Sequence, residues 1–444
     1  MSRVFEPRAY AVDSLTECFW AEDFPGPDFG WPVLLGDAKA EVAVIGAGYT
    51  GLSAALHLAQ AGVDVAVLDM HGPGWGASGR SGGFVCLGGA TASDRAIRRQ
   101  VGAAGLADWQ RAQRDAVALV ADLLDRHGID AQTHSQGETQ LAHSPRQLRL
   151  LEAEANAAAR AGEPVDFIAP NQMQARGMGI SGLSGGLTTP HGFALHPRRY
   201  VLGLAEAYRR LGGRLFVGSE VIGVAETAMG LELRTTNGRL RCKRLIIATN
   251  GYGREDVPRW MAGRFLPVQS NILVTRPLSD AEIAAQGWSS AQMVYDTRVL
   301  LHYFRLLPDR RMMFGMRGGF RATPASDRKM QRIILRDFKA MFPAWAEVET
   351  PWFWSGLISL MGRGVPYAGP VPGLAGAYAG FGWHGNGIAM GSYAGAALAR
   401  LALGQGPDVP EILQRPPVRI PFGTRRRLLL PPKYAQLGLR DWLA

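Results

Sequence analysis

Cysteine is scarce: Cys18, Cys86 and Cys242 are the only three in 444 residues, widely spaced and without a CxxC pair. That excludes a disulfide framework and a thiolate zinc site, and no other metal site is expected. Residues 1–30 lack the unbroken apolar run of a secretory leader, because Glu6, Asp13, Glu17, Glu22 and Asp23 interrupt them. No apolar stretch reaches the roughly 20 residues that span a bilayer. A reducing, cytoplasmic setting is the expectation. Acidic excess is missing as well. The net charge of +10 favours anionic ligands, and it allows a membrane surface or an electron-accepting protein as partner. The basic residues are scattered apart from Arg425–Arg426–Arg427, with no helix-turn-helix, finger or basic-aromatic stripe, so nucleic acid is not expected. There is no internal repeat and no low-complexity tract, and the oligomeric state stays open.

What is present is an ordinary globular composition, 47% hydrophobic and 19% charged, at a length that suggests two interleaved domains. The 56 glycines are the one excess, and they imply tight turns and places where backbone approaches a ligand. Residues 1–40 read as an irregular arm rich in Pro, Gly and aromatics. Glu41–Gly46 reads as a buried parallel strand, and from Thr50 to Ala61 the apolar residues recur at helical spacing. Val63–Leu68 is a second buried strand. Leu106–His127, Gln147–Arg160, Pro197–Leu211 and about Ile388–Leu403 read as helices. Val299–Leu307 and Arg311–Met316 form a hairpin around Pro308–Asp309, and the tail after Gly404 is Pro- and Arg-rich and loosely specified.

Gly46-Ala-Gly48-Tyr49-Thr50-Gly51 is a GxGxxG placed after a strand and at the opening of a helix. The first glycine makes the turn, the second lets backbone approach a pyrophosphate, and the third lets helix and strand pack closely. Phosphates then sit at a helix N-terminus, where free N–H groups favour negative charge. Asp69, 18 residues after Gly51, ends the second strand, where a carboxylate can accept from ribose hydroxyls and repels a 2′-phosphate. The segment Gly74–Gly83 adds a small-residue loop whose Ser78, Arg80 and Ser81 offer donors. Leu245–Gly253 and Gly380–Gly391 are two further glycine-bearing turns.

In this order the segments resemble the D-amino-acid-oxidase-like superfamily of FAD oxidoreductases, nearest the γ-glutamylputrescine oxidase and sarcosine oxidase branch. The likeness runs over roughly residues 36–405, through VIGAGYTG, GWGASGRSGG, RLIIATNGY, YFRLLPDRRMMFG, WSGLISLMGRGVPYAGPV and GFGWHGNGIAMGSYAG. It implies an α/β fold: a Rossmann-type FAD-binding domain (41–94, 198–260 and 364–406) interleaved with a substrate domain on a large mixed sheet (95–197 and 261–363), with a tail at 407–444. It implies that Gly46, Gly48, Tyr49, Thr50, Gly51, Asp69 and Met70 hold the ADP half. Ala77, Ser78, Arg80, Ser81, Gly82 and Gly83 would hold the pyrophosphate and flavin. Val221, Thr249 and Gly251 would cover the nucleotide. Gly385, Asn386, Gly387 and Ile388 would present N–H groups to the flavin's pyrimidine edge.

The chain departs from those relatives in three places. No cysteine stands near Gly356, where sarcosine oxidases attach flavin, so the FAD is expected to be non-covalent. Cys86 is the remote alternative attachment point. Ile358 falls where amino-acid oxidases carry a carboxylate-clamping arginine, and Ile388 and Ala389 replace a sarcosine-oxidase lysine. An amine, rather than a simple α-amino acid, is then the expected small-molecule substrate. Met313 stands in place of the lysine that assists oxygen reduction, which keeps open a dehydrogenase or an electron-transfer subunit that passes electrons to a partner. Candidate catalytic residues are His384, beside the flavin edge, Tyr303, which strand alternation separates from His302, and Arg317. Arg305 and Arg363 are further candidates for an acidic group. Trp354 and Trp383 are candidates for walling a cationic amine.

Overall fold

The computed structural model describes residues 3–15, 17–405 and 409–443. Val42–Ile45 is apolar at every position because it is flanked on both sides. The strand Gly36–Ile45 pairs in parallel with Gly238–Ile247 and with Val65–Leu68. It starts at Gly36, inside what reads as the arm, rather than at Glu41. This first sheet continues through Arg214–Phe216 at one edge and Ala377–Phe381 and Tyr367–Pro370 at the other, with a hairpin, Gly223–Thr227 and Gly230–Arg234, beside Gly238–Ile247. The helices Tyr49–Gln60 and Ala389–Ala402 pack together against it. They approach so closely that a Cβ on Gly395 would lie 2.3 Å from the Thr50 carbonyl oxygen.

The second sheet has the strand order Trp352–Leu360, Leu266–Val274, Met312–Arg317, His302–Leu306, Met293–Asp296, Glu138–Leu141, Gly186–Thr189, Asp166–Ile168. Alternation divides its faces. Phe304, Met312 and Phe314 point to the helix Pro324–Met341, which returns Met330, Ile334 and Phe338 in helical register. That helix is absent from the sequence reading; its start is a Thr-Pro pair, with the Thr323 hydroxyl accepting from the Ser326 N–H. Tyr303, Ile272, Val274 and Met313 point the other way, where they pack with Cys18, Phe19 and Trp20 of the arm.

Arm and tail are both ordered. Trp20 Nε1 donates to the Ser81 carbonyl, Trp75 Nε1 donates to the Val12 carbonyl, and Arg80 donates to Ser14 at its carbonyl and hydroxyl. The basic tail is not a free anchor. Arg426 is fully buried, paired with Glu255 at 2.7 Å, and Arg427 lies over the Phe5 ring and pairs with Glu6. The helix Leu430–Leu443 then ends with Asp441 accepting from the N–H groups of Val299 and Leu300. Among the described residues no helix is long and apolar enough to cross a membrane.

Candidate active site

A cavity of about 490 Å³ lies between the two sheets, and its walls come from both. One end is made of main chain. Gly46 has φ +105°, and a Cβ there would lie 2.8 Å from the Ala248 carbonyl oxygen. A Cβ on Gly51 would meet the Gly46 oxygen at 1.8 Å, so the helix can open this close to the strand only with glycine there. Asp69 accepts from the N–H groups of Ala47 (2.7 Å) and His71 (2.9 Å), which locks the turn to the end of the second strand. Ser78 Oγ accepts from Tyr49 N–H at the helix start. Gly46, Gly48, Tyr49, Thr50, Asp69, Met70, Ala77, Ser78, Ser81, Gly82, Val221 and Thr249 all stand on the wall.

Four expectations at this end need correction. Gly51, Gly83 and Gly251 do not reach the cavity. Gly51 serves the helix–strand contact alone, Gly83 packs against the Leu195 carbonyl, and Gly251 packs against the carbonyls of Leu357 and Ile358. Arg80 is on the wall, but its Nε, Nη1 and Nη2 are spent on Trp75 and Ser14, so its donors face the arm rather than a ligand. The sequence reading also misses a polar cluster here. Glu220, next to Val221, is shared by Arg3 (2.6 Å) and Arg254 (2.9 Å), and all three line the cavity. Arg3 reaches it from the far end of the arm, a juxtaposition with no local sequence signal.

The other end is made of side chains. The turn Trp383–Asn386 opens the helix Ala389–Ala402 with His384 at φ +52° and Gly385 at φ +105°. His384, Gly385, Asn386, Gly387 and Ile388 line the cavity. His384 is the clearest correction. Its Nε2 accepts from the Met361 N–H at 3.1 Å, which forces the proton onto Nδ1, and Nδ1 donates to the Gly89 carbonyl at 2.8 Å. Burial pushes its pKa down to about 4. A ring with both nitrogens engaged has no lone pair for a substrate amine, so His384 is a positioning residue. It fixes the turn to Gly89 and Met361.

Arg317 and Tyr303 do face the cavity. Tyr303 shares a 2.9 Å hydrogen bond with Ser270, and burial pushes its hydroxyl up to about 12, so it stays protonated. Arg317 donates from Nη2 to the His384 carbonyl at 3.0 Å, and no carboxylate pairs with it among the described residues. Its guanidinium stands where a Cβ on Gly385 would be 3.3 Å from Nη2 and 3.9 Å from Ile358 Cδ1. Ile358 thus lacks the clamp, as its sequence position implies, yet an arginine from a different strand fills the adjoining space. Glu138, which the sequence reading passes over, is also on this wall and only 6% exposed.

The remaining candidates lie elsewhere. Arg305 is fully buried and donates to the carbonyls of Gly82 and Leu195 and to His134, so it braces the loop under the cavity rather than reaching into it. Arg363 bonds Gln100 and the Pro416 carbonyl, away from the wall. His302 is on the opposite face of the sheet from Tyr303, paired with Asp296 and Asp337. Trp354 donates to the Arg80 carbonyl inside the core; Trp383 reaches the wall. Met313 is buried with Ile272, Val274 and Trp354 and does not line the cavity. Cys86 does line it, with its Sγ 2.7 Å from Asn386 Oδ1.

Comparison with known proteins gives the family. The chain is 30% identical to the probable oxidoreductase OrdL of Haemophilus influenzae over 386 residues, 86% of this chain and 87% of that protein. It is 28% identical to the γ-glutamylputrescine oxidoreductase of Escherichia coli over 389 residues, 87% of this chain and 89% of that one. Glycine oxidase from Geobacillus kaustophilus has the same fold, with a TM-score of 0.70 at 20% identity, covering 85% of this chain and 99% of that one. Residues 41–401 match the family described as FAD dependent oxidoreductase (DAO), so this chain belongs to that family and uses FAD.

Proposed function

We propose that the protein oxidises a C–N bond of an amine that also carries an acid group, the acid being held by Arg317. The observation behind this reading is a half-buried guanidinium on the cavity wall, desolvated enough to lower its pKa, with a backbone carbonyl for a partner and no carboxylate among the described residues. Removing a charge even partly from water without a counter-charge is costly, and a ligand acid would match it. The similarity to an enzyme named for γ-glutamylputrescine supports an amine of that type.

The residues fit FAD. Gly46 and Gly48 leave the turn clear of side chains, the Tyr49–Gln60 helix turns its N-terminus to the cavity, and Ser81 stands on the wall. Gly46, Gly48, Asp69 and Ser78 would hold the ADP half, and Ser81, Gly82 and the Gly385–Ile388 backbone the flavin, non-covalently. When bound, FAD supplies the acceptor for a hydride from the carbon next to nitrogen. The protein's part is placement. Arg317 anchors the acid, Tyr303 and Ile358 line the space beside it, and His384 holds the turn without taking a proton.

A second reading, a dehydrogenase that hands electrons to a partner, is favoured by Met313 and by the wall itself. Among the described residues no lysine lines the cavity. Anaerobic flavin bleaching tests the first reading, and dye reduction against oxygen consumption tests the second. γ-Glutamylputrescine should bleach the flavin and putrescine should not. In Arg317→Gln the first rate should fall about 100-fold, the usual scale for losing one partner of a buried charge pair. Equal bleaching by both amines would remove the proposal.

A further inference from the structure

We propose that Glu138 is the cation-binding residue of the substrate site, so that the substrate is an elongated molecule with its acid at Arg317 and its positive charge at Glu138. This rests on the reading of Arg317 above and adds the other pole.

Glu138 opens the strand Glu138–Leu141 and points to the same face of the sheet as Tyr295 and Tyr303. Its carboxyl is hydrogen-bonded to the Leu87 main chain and to the Cys86 sulfur, and no Lys, Arg or His is paired with it among the described residues. A carboxyl kept for the fold would be exposed or matched by a cation. This one is neither, and it is on the cavity wall. Thr139 next to it faces the other way and satisfies itself with Thr188, so the strand does not need Glu138 for pairing.

Register sets the distance between the two poles. Gly315, Tyr303, Tyr295 and Gln140 form one row across four strands. Arg317 is two residues to one side of that row and Glu138 two residues to the other, both on the same face. Three strand spacings and four residues of rise separate their Cα atoms by roughly 19 Å. Side-chain length closes part of that gap, but the adjacent charges of an α-amino acid cannot touch both groups. Tyr303 and Tyr295 stand between them. The poles also flank one turn: Arg317 bonds the His384 carbonyl, and Cys86 joins Glu138 to Asn386.

The groups facing Glu138 are the Cys86 thiol and the Tyr295 hydroxyl, with Glu154 acting on Tyr295 from behind. Burial, only partly offset by the contacts with Cys86 and the Leu87 main chain, pushes Glu138 up to about 8. At neutral pH the empty site therefore holds a carboxylic acid. Binding an ammonium group there breaks the carboxyl O–H, leaves a carboxylate against the cation, and releases that proton to solvent.

The test uses the FAD-loaded enzyme, with Glu138→Gln and Arg317→Gln beside the wild type. The probes are N-acetylputrescine, which has the amine without the acid, and glutaric acid mono-butylamide, which has the acid without any amine. Dissociation constants come from anaerobic perturbation of the flavin spectrum. Glu138→Gln should weaken the amine probe about 100-fold and the acid probe less than twofold, and Arg317→Gln should do the reverse. In the wild type the amine probe should weaken tenfold per unit as pH falls below 8, a slope absent from Glu138→Gln. Equal weakening of both probes by Glu138→Gln, or a changed flavin spectrum before any probe is added, would overturn the assignment and make Glu138 a flavin or folding contact. An acid probe indifferent to Arg317→Gln removes the Arg317 reading instead. A wild type that binds neither probe removes both.

Discussion

The two ends of the cavity are built of different material. At the nucleotide end the working groups are main-chain N–H and carbonyl groups, and side chains matter chiefly by their absence, as at Gly46 and Gly48. At the substrate end the working groups are Arg317, Tyr303 and Glu138, carried by three strands of one sheet, the first two adjacent and the third beyond one intervening strand, and placed together only by register. A main-chain site is written in consecutive residues, because a turn is local. A side-chain site is assembled by pairing across a sheet, and each member looks ordinary in sequence.

Substitutions can break each end separately. The largest effect is expected at Gly51, where any Cβ would overlap the Gly46 carbonyl oxygen. Gly51→Val should lose FAD, read as the ratio of 450 to 280 nm absorbance, and should lower Tm. Gly48→Ala, whose Cβ meets only the Ser78 hydroxyl at 2.8 Å, should retain part of the FAD and so grade the effect. Next comes Arg317→Gln, expected to lower kcat/KM for an acid-bearing amine about 100-fold while leaving the FAD ratio unchanged. A fall in FAD content there would blur the two ends into one.

His384→Gln sharpens the contrast, because its ring bonds to main chain although it belongs to the substrate end. It should reduce kcat/KM about tenfold by loosening the turn that Arg317 leans on, yet leave the shape of the pH–rate profile intact. Loss of a limb of that profile would restore it as a base. The smallest effect lies behind the sheet. Burial opposes protonation of His302, but Asp296 and Asp337 outweigh it and push its pKa up to about 8. A raised pKa means that the stabilisation is full below the ordinary value near 6.5 and is lost as pH rises to 8. It amounts to on the order of 2 kcal/mol. Tm of the wild type should therefore drop between pH 6.5 and 8, and Tm of His302→Gln should not.

The fold and the nucleotide end were largely legible in the sequence. GAGYTG with Asp69, the hairpin at Pro308–Asp309 and the alternation that turns Tyr303 inward are short-range patterns, and they stand where expected. Glu138 was not legible, because a single glutamate at the start of a short strand has no distinguishing neighbours. His384 looked like a free base, because the Met361 and Gly89 main-chain partners that occupy it are distant in sequence. Arg426 and Arg427 read in the sequence only as members of a basic run, since nothing nearby announces that Glu255 and Glu6 come to meet them.

That last contact has a practical consequence. Arg427 ties Val4 and Glu6 down, and a few residues earlier Arg3 stands on the cavity wall beside Glu220 and Met70. The beginning of the described chain and the segment before its last helix are thus fastened to each other beside the nucleotide pocket. A purification tag fused ahead of Arg3 is then an intervention at the pocket's rim, and an apparently flavin-poor preparation should first be compared with its tag-free counterpart.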